Sequence, residues 1–198
     1  MHAPNQKPKR DLLFWSGGKD SFLALRFYQD KSEEDPILLT TYDDESEHVP
    51  HQNIPIRRIQ NQAMKLGLIL YSVPLSYPST NEQYLKTLSK SFEQLPFCIR
   101  HLIFGDLHLE DIRKWREEQF SEMDYKCRFP IWQKPYEELF DRLEEENVSI
   151  KVSGVMSEYD GYIKPGDLFT REYAHSLPEH IDRMGEKGEF HTEVIFDV

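Results

Sequence analysis

The sequence predicts an α/β domain in which helices cover both faces of a mostly parallel sheet. Short apolar segments, typical of buried strands, alternate along the chain with longer segments of helical spacing. The 198 residues suffice for one domain with a sizeable core, and 38% hydrophobic and 13% aromatic residues are typical of a globular protein. Together these observations favour a three-layer α/β/α architecture.

The first half of the chain supplies four predicted strands and three predicted helices. The strands are predicted for the short apolar residues 12–15, 36–42, 68–75 and 101–105. The helices are predicted for residues 21–28, 55–66 and 81–95, where apolar residues recur at helical spacing. Pro55 suits a first helical position, and Gly67 is expected to end the same helix.

The second half repeats the alternation and then changes pattern. Helices are predicted for residues 109–120 and 136–147, and strands for residues 126–132 and 149–156 are expected to extend the parallel sheet. In the tail, one set of alternating residues is apolar or small and the other mostly polar: Phe190, Thr192, Val194, Phe196 and Val198 against Glu189, His191, Glu193, Ile195 and Asp197. A period of two predicts a C-terminal β element with one covered and one polar face.

Composition excludes several classes of function. A formal net charge of −11 argues against a broad nucleic-acid surface, because phosphate backbones require clustered Lys and Arg. No apolar run approaches the roughly 20 residues that cross a bilayer. Cys98 and Cys127 lie outside any CxxC spacing, which suits a reduced, cytoplasmic protein. The polar residues 1–10 are predicted to form a disordered leader, and residues 11–198 a single domain.

The segment SGGKDS, residues 16–21, lies where the first strand leads into the first helix. In an open α/β sheet ligands bind beyond the carboxyl ends of the strands, and a helix N-terminus offers unpaired N–H donors to an anion. Each residue type suits a phosphate site: the loop contains Ser16, Gly17, Gly18, Lys19, Asp20 and Ser21. The glycines let backbone N–H groups approach a ligand, and the serines and lysine add donors. The aspartate is expected to cap the helix or to hold Mg²⁺. The alternative is a plain Gly-Gly turn.

The same six residues resemble the signature of the PP-loop ATP pyrophosphatases, the N-type family of the adenine nucleotide α-hydrolase superfamily. The resemblance implies a Rossmann-like, HUP-type fold that binds ATP and cleaves it between the α and β phosphates. The Walker sequence GxxxxGK[ST] is absent from the chain.

The tail segment MGEKGEFHTEV, residues 184–194, resembles the GENGEFHT segment of the diphthine–ammonia ligase (diphthamide synthase) family. HVPHQNIPIRRIQNQAMKLGL and FGDLHLEDIRKWREE are similar to two further segments of that family. The resemblance implies that ATP activates a carboxylate as an acyl-adenylate and that ammonia then displaces AMP. Met184, Lys187 and the middle segment differ from the family pattern, so the acceptor is left open as diphthine or another acid.

Four residues are predicted to be catalytic. Lys19 is expected to stabilise pyrophosphate, and Glu186, Glu189 and His191 of the tail motif are expected to position or deprotonate the amine. An unperturbed histidine titrates near ~6.5, which suits a proton acceptor. The alternative for His191 is a structural histidine that bonds a neighbouring strand or Glu193.

Substrate contacts are predicted for residues that follow the fourth strand. Asp106 lies at the strand end, where its alternative role is a helix or turn cap. Glu110 and Arg113 are one turn apart and can instead form a surface ion pair. Arg113 and Arg116 share a helix face by spacing, and a guanidinium suits a carboxylate or phosphate. In the polar loop after the second strand, residues 43–53, His48 and His51 either close over the site or are solvated.

The sequence thus predicts a cytoplasmic ATP·Mg²⁺-dependent ligase that uses a carboxylate acceptor and ammonia and contacts neither nucleic acid nor membrane. A homodimer is compatible with this prediction. One alternative is a PP-loop enzyme acting on a different small-molecule acceptor. The other is a sensor that binds an adenine nucleotide without turnover.

Overall fold

The computed structural model of the chain describes residues 7–196. Within them the strands are β1 (Lys9–Phe14), β2 (Ile37–Asp43), β3 (His48–Val49), β4 (Ile54–Pro55), β5 (Leu70–Leu75), β6 (Cys98–Ile103), β7 (Cys127–Arg128), β8 (Val148–Val155) and β9 (Phe190–Phe196). The α-helices are α1 (Lys19–Gln29), α2 (Ile56–Leu66), α3 (Asn81–Glu93), α4 (Glu110–Ser121), α5 (Tyr136–Glu144) and α6 (Arg171–Ser176). A 3₁₀ turn spans Ser157–Tyr159.

Five parallel strands form the central sheet in the order β5-β2-β1-β6-β7. The chain moves outward from β1 to β2 and β5 and then returns to the other side of β1 as β6. The loops that follow β1 and β6 therefore diverge, which makes this point of the sheet the topological switch where ligands bind in such folds.

Helices cover both faces of the sheet, which confirms the predicted three-layer α/β class. Neighbouring residues of β1 alternate between the two layers: Leu13 packs in the core beneath α1, α2 and α5, and Leu12 packs in the core beneath α3 and α4. Both leucines are fully buried. Helix α2 ends as predicted at Gly67, whose φ of 69° lies in the left-handed region that favours glycine.

The first strand begins earlier than predicted. Residues 9 and 10, assigned to the disordered leader from the sequence, belong to β1 and pair with β6, and the Lys7 ammonium donates to the Leu95 carbonyl at 2.8 Å. Sheet pairing orders this polar stretch, whose composition carries no apolar signal. Residues 1–6 of the predicted leader lie outside the described residues.

The prediction that residues 149–156 extend the parallel sheet is wrong. β8 pairs antiparallel with β9 in a separate two-stranded sheet, with Ile150 opposite Val194. Ile150 and Val152 are buried while Lys151 between them is exposed. That alternation is typical of a strand covered on one face, whereas a strand central to a parallel sheet is apolar on both.

The tail strand has the predicted covered face but lacks a fully polar one. Phe190, Thr192 and Val194 are buried as expected, whereas Glu193, placed on the polar face by the sequence, is also buried and pairs with Arg58 at 2.6 Å. Helix α2 therefore contributes the partner of Glu193 on the face predicted to be polar. Asp197 and Val198 lie outside the described residues.

Among the described residues, no helix combines the length and apolar character needed to span a bilayer.

Candidate functional site

A cavity of about 870 Å³ opens at the carboxyl ends of the central strands. Its walls combine residues from β1, β2, the loop before α2, the loop after β6, helix α4 and the tail. The cavity therefore lies over the topological switch point, where the sequence predicted a ligand.

The SGGKDS loop (residues 16–21) turns the chain from β1 into α1 at the cavity floor. Gly17 adopts a left-handed φ of 81°, and Gly18 is the N-cap of α1 and supplies no side-chain cap. The Ser21 hydroxyl donates to the Gly18 carbonyl at 2.9 Å, and the Ser16 hydroxyl donates to Ser21 at 3.3 Å. Ser16, Asp20 and Ser21 line the cavity. The amides of the first turn have no acceptor within a helix, so this floor can accept an anion.

Lys19 lies behind the cavity floor. The residue is only 1% exposed, its ammonium lies 2.9 Å from the Asp20 carboxylate, and the ammonium is 5.6 Å from the ring centroids of Phe169 and Phe190. Its backbone N–H donates to the Thr192 hydroxyl at 3.1 Å. Lys19 does not line the cavity, in contrast to the direct phosphate contact expected from the sequence, because β9 and the segment before α6 cover it. Its charge acts on the cavity through Asp20.

Asp20, the negatively charged partner of Lys19, lies in the cavity wall. One carboxylate oxygen bonds Lys19, while the other, Oδ1, is buried with no hydrogen-bond partner. Burial raises the pKa of Asp20, the Lys19 charge opposes this shift, and Asp106 and Asp182 add to it. An oxygen so placed is suited to a cation.

The tail turn (residues 182–189) carries Glu186 to the cavity. Gly185 and Gly188 adopt φ of 67° and 88°, which L side chains rarely adopt. The Glu186 carboxylate lines the cavity and accepts hydrogen bonds from the Leu107 and His108 amides at 2.9 and 3.3 Å. Burial, with repulsion from Asp20, raises the pKa of Glu186 to about 7 against the opposing effect of the two amides and Lys19.

Glu189, also predicted to be catalytic, does not line the cavity. It is 2% exposed, and its two carboxylate oxygens accept hydrogen bonds from the Asp182 and Lys187 amides at 3.0 Å each. The Glu189 carboxylate thus stabilises the tail turn by bonding two of its backbone amides. Sequence spacing placed Glu189 beside His191 on a polar face, but Glu189 precedes β9 and its direction is set by the turn.

His191 lies in the cavity wall opposite His51. The two ring centroids are 5.9 Å apart, and the His51 ring also packs edge-on against Tyr77 at 6.1 Å. Burial, with the charges of His51 and Lys19, lowers the pKa of His191 to about 4, so the imidazole is neutral at physiological pH. His48, by contrast, donates to the Ser46 carbonyl at 2.6 Å and does not line the cavity.

Of the four substrate-binding residues predicted after β6, two line the cavity and two do not. Asp106 and Arg116 both line the cavity and form an ion pair of 2.9 Å, and the Arg116 guanidinium lies 4.3 Å from the Phe104 ring centroid. Asp106 is therefore no helix cap, since Leu109 is the N-cap of α4.

Glu110 and Arg113 do not line the cavity, in contrast to the prediction. Arg113 pairs with Glu117 at 3.0 Å and packs over the Trp132 ring at 4.7 Å. The helical spacing of Arg113 and Arg116 was correctly interpreted, but aromatic partners draw the two guanidinium groups to different places.

Several cavity residues were not predicted from the sequence. Asp111 and Trp115, one helical turn apart on α4, line the same cavity as Arg116, and so does Tyr84 of α3. Helical spacing relates Asp111 to Trp115 but not to Arg116, so the choice of Arg116 did not lead to this pair. Gln62 of α2 and Thr192 of β9 contact the SGGKDS loop from behind, and no local pattern marks them.

We expect Gly105→Ala to destabilise the protein and weaken nucleotide binding. A Cβ at Gly105 would lie 2.7 Å from the Asp20 carbonyl oxygen and 2.8 Å from its carbon, so the first turn of α1 would have to move. Overpacking of this kind costs roughly 1–3 kcal/mol. Urea unfolding and ATP titration of the variant measure both effects.

Gly161→Ala is the matched control, because nothing lies within 4 Å of a Cβ there. If Gly105→Ala behaved like this control, close packing between the loop after β6 and α1 would be irrelevant to the site.

Comparisons with known proteins place these features in a family context. A family model described as the diphthamide synthase N-terminal domain matches residues 9–127. The match ends at β7, before α5, the β8–β9 hairpin and the tail turn. A search of curated proteins found no match.

Among solved structures, the U34-tRNA thiolase NcsA from Methanococcus maripaludis, solved with its [4Fe-4S] cluster, is similar at 19% sequence identity and a TM-score of 0.42. The alignment covers 71% of this chain and 58% of the thiolase chain. The present chain thus spans less than two thirds of the length of that protein.

Proposed function

The chain belongs to the diphthamide synthase family, whose members use an adenine nucleotide, and we propose that it is an ATP-dependent ligase of the diphthine–ammonia ligase type. An acceptor carboxylate oxygen attacks the α-phosphorus of ATP, the P–O bond between the α and β phosphates breaks, and pyrophosphate leaves. Ammonia then attacks the carbonyl carbon of the acyl-adenylate, AMP leaves, and the nitrogen loses a proton. The observation that carries this proposal is the SGGKDS loop, whose helix N-terminus opens into the cavity at the switch point.

Pyrophosphate is proposed to bind residues 16–21. The positive end of the helix dipole and the first-turn amides of α1, other than the Lys19 amide that donates to Thr192, favour an anion there. The Ser16 hydroxyl, whose contact with Ser21 is long at 3.3 Å, can donate as well. Lys19 adds a positive charge directly behind Asp20. Donors held in place before the reaction stabilise charge that develops on the leaving group.

Mg²⁺ is proposed to accompany ATP at Asp20. The carboxylates in the cavity wall, Asp20, Asp106, Asp111 and Glu186, outnumber the Arg116 guanidinium, so a polyphosphate needs a cation to enter. In the part of the chain that the structure describes, no three acidic, histidine or cysteine side chains are grouped to hold a metal without the nucleotide. Phosphate oxygens would complete the ligand set, as Mg²⁺ prefers, and the unpartnered Oδ1 of Asp20 fits one position. The ion would neutralise phosphate charge.

Glu186 is proposed to accept the proton that the attacking amine loses. Its pKa of about 7 suits a proton acceptor at neutral pH, whereas the pKa of about 4 makes His191 a weak base. His191 is proposed to orient the amine as a neutral hydrogen-bonding group. Glu189 is proposed to act indirectly, by holding the tail turn that carries Glu186.

The acceptor carboxylate is proposed to bind Arg116. The guanidinium is stacked on Phe104 and paired with Asp106, so its direction into the cavity wall is fixed before substrate arrives. The acceptor is diphthine or another molecule with a free carboxylate. A reducing, cytoplasmic setting is part of the proposal, since Cys98 and Cys127 are free thiols.

Incorporation of ¹⁵N tests the ligase proposal. The protein would be incubated with ATP, Mg²⁺, ¹⁵N-ammonium and either a small-molecule extract or a protein extract, with an ATP-free reaction as the control. We expect ¹⁵N in an amide product that forms only with ATP. ATP consumption without ¹⁵N transfer would favour a different PP-loop acceptor reaction, and ATP binding without consumption would favour a nucleotide sensor.

A further inference from the structure

Gln62 of α2 lies behind the SGGKDS loop, outside the cavity, and is 4% exposed. Its side-chain amide makes three hydrogen bonds to three different parts of the fold. The Trp15 indole N–H donates to Oε1 at 2.9 Å, and Nε2 donates to the carbonyls of Gly17 at 3.0 Å and Val194 at 2.7 Å. One buried amide therefore joins the end of β1, the SGGKDS loop and the tail strand β9.

The Gly17 carbonyl receives a second hydrogen bond from the same side. The Val194 backbone N–H donates to it at 2.9 Å, so Gln62 and β9 together occupy this oxygen. A Cβ at Gly17 would lie 2.3 Å from the Ile59 side chain, which shows how closely α2 packs against the loop. The direction of the Gly17 carbonyl is thus fixed by α2 and β9.

A fixed carbonyl also fixes the next N–H. The Gly17–Gly18 peptide is trans, and in a planar trans peptide the C=O and the following N–H point in opposite directions. Because the Gly17 carbonyl faces Gln62 and β9, the Gly18 N–H faces the other way. There it makes a long contact of 3.4 Å with the hydroxyl of Ser16, a cavity residue.

We infer that Gln62 is a positioning residue of the nucleotide site, which holds the Gly17–Gly18 peptide so that the Gly18 N–H is presented to the β,γ-pyrophosphate of ATP. This inference rests on the proposed function, since it assigns pyrophosphate to the SGGKDS loop. It also gives the tail strand a specific role, because β9 supplies the second donor to the Gly17 carbonyl.

Gln62→Glu tests the inference with little change in shape. An ionised carboxylate would face two carbonyl oxygens, and a protonated one would have a single donor for both, so the Gly17 peptide loses its fixed direction. We expect the affinity for pyrophosphate, measured by calorimetry, to fall about ten- to hundredfold, the usual effect of one lost hydrogen bond to a charged group. The affinity for AMP, which lacks the β and γ phosphates, is expected to change much less. A purely structural role would weaken both ligands alike.

Gln60→Glu is the matched control, because it makes the same chemical change at an exposed position of the same helix. Equal pyrophosphate affinity in folded Gln62→Glu and wild type would overturn the inference alone. Failure of the wild-type protein to bind either pyrophosphate or ATP would overturn the proposed function with it.

A measurement on the wild-type protein covers the case in which Gln62→Glu does not fold. In ¹⁵N NMR spectra, saturating pyrophosphate is expected to shift the Gly18 amide resonance strongly, while the Gln62 side-chain NH₂ protons stay protected from exchange. An unshifted Gly18 amide, or rapid exchange of the Gln62 amide, would contradict the inference.

Discussion

Lys19→Met is expected to lower the rate of AMP formation roughly 10²- to 10³-fold, the usual effect of removing one group that stabilises developing charge. The same change leaves the Asp20 carboxylate without its counter-charge at 2.9 Å. Breaking a buried ion pair costs roughly 3–5 kcal/mol, and we expect the lower end because Asp20 reaches the cavity. Steady-state assays and urea unfolding measure the two effects.

Two further variants separate the causes. Asp20→Asn in the Lys19→Met background removes the negative charge of Asp20, which Lys19 no longer balances. We expect this double variant to recover much of the stability but none of the activity. Lys65→Met, at an exposed position of α2, is the control for removing a positive charge. Near wild-type turnover in Lys19→Met would show that the buried ammonium has no part in ATP cleavage.

Glu186→Gln is expected to lower the rate of amide formation by roughly 10²- to 10⁴-fold, the usual contribution of a general base. Glutamine keeps an oxygen to accept from the Leu107 and His108 amides, so the tail turn should stay in place. Rates of wild type, compared at equal concentrations of unprotonated amine, are expected to rise with pH through about 7 as Glu186 ionises. The variant is expected to lose this rise.

The raised pKa of Glu186 also makes the stability of the folded protein depend on pH. A carboxyl whose pKa is higher in the folded state binds its proton more tightly there, so folding is favoured at low pH and stability falls as pH rises from the unfolded pKa to about 7. Urea midpoints of wild type relative to Glu186→Gln should therefore decrease between pH 5 and pH 8. Glu179→Gln, at an exposed position, should show no such difference. Parallel midpoints for wild type and Glu186→Gln would contradict the raised pKa.

Features set by local sequence were predictable. Gly67 ends α2 because only a residue tolerant of positive φ suits that position, and the apolar spacing of α2 identifies its buried face. The placement of the SGGKDS loop follows from a strand that precedes a helix. The alternation of apolar strands and helices was also sufficient to predict the layered architecture.

Features set by tertiary partners were not predictable. Lys19 looks like a mobile surface charge in the sequence, yet the rings of two residues far along the chain, Phe169 and Phe190, cover it. In the sequence, β8 continues the alternation of strands and helices, but the strand with which it pairs is β9 in the distant tail. The side chains of Arg113 and Arg116 separate because each finds a different aromatic surface. In all three cases the deciding contact lies outside the local pattern.

³¹P NMR of the products of ATP turnover shows directly which phosphate bond of ATP is cleaved. The protein would be incubated with ATP, Mg²⁺, ammonium and the acceptor-containing extract, with the slow variant Lys19→Met as the control. We expect AMP and pyrophosphate in equal amounts, formed only when extract is present. ADP and inorganic phosphate as the products would contradict cleavage between the α and β phosphates and the assignment of the SGGKDS loop to pyrophosphate.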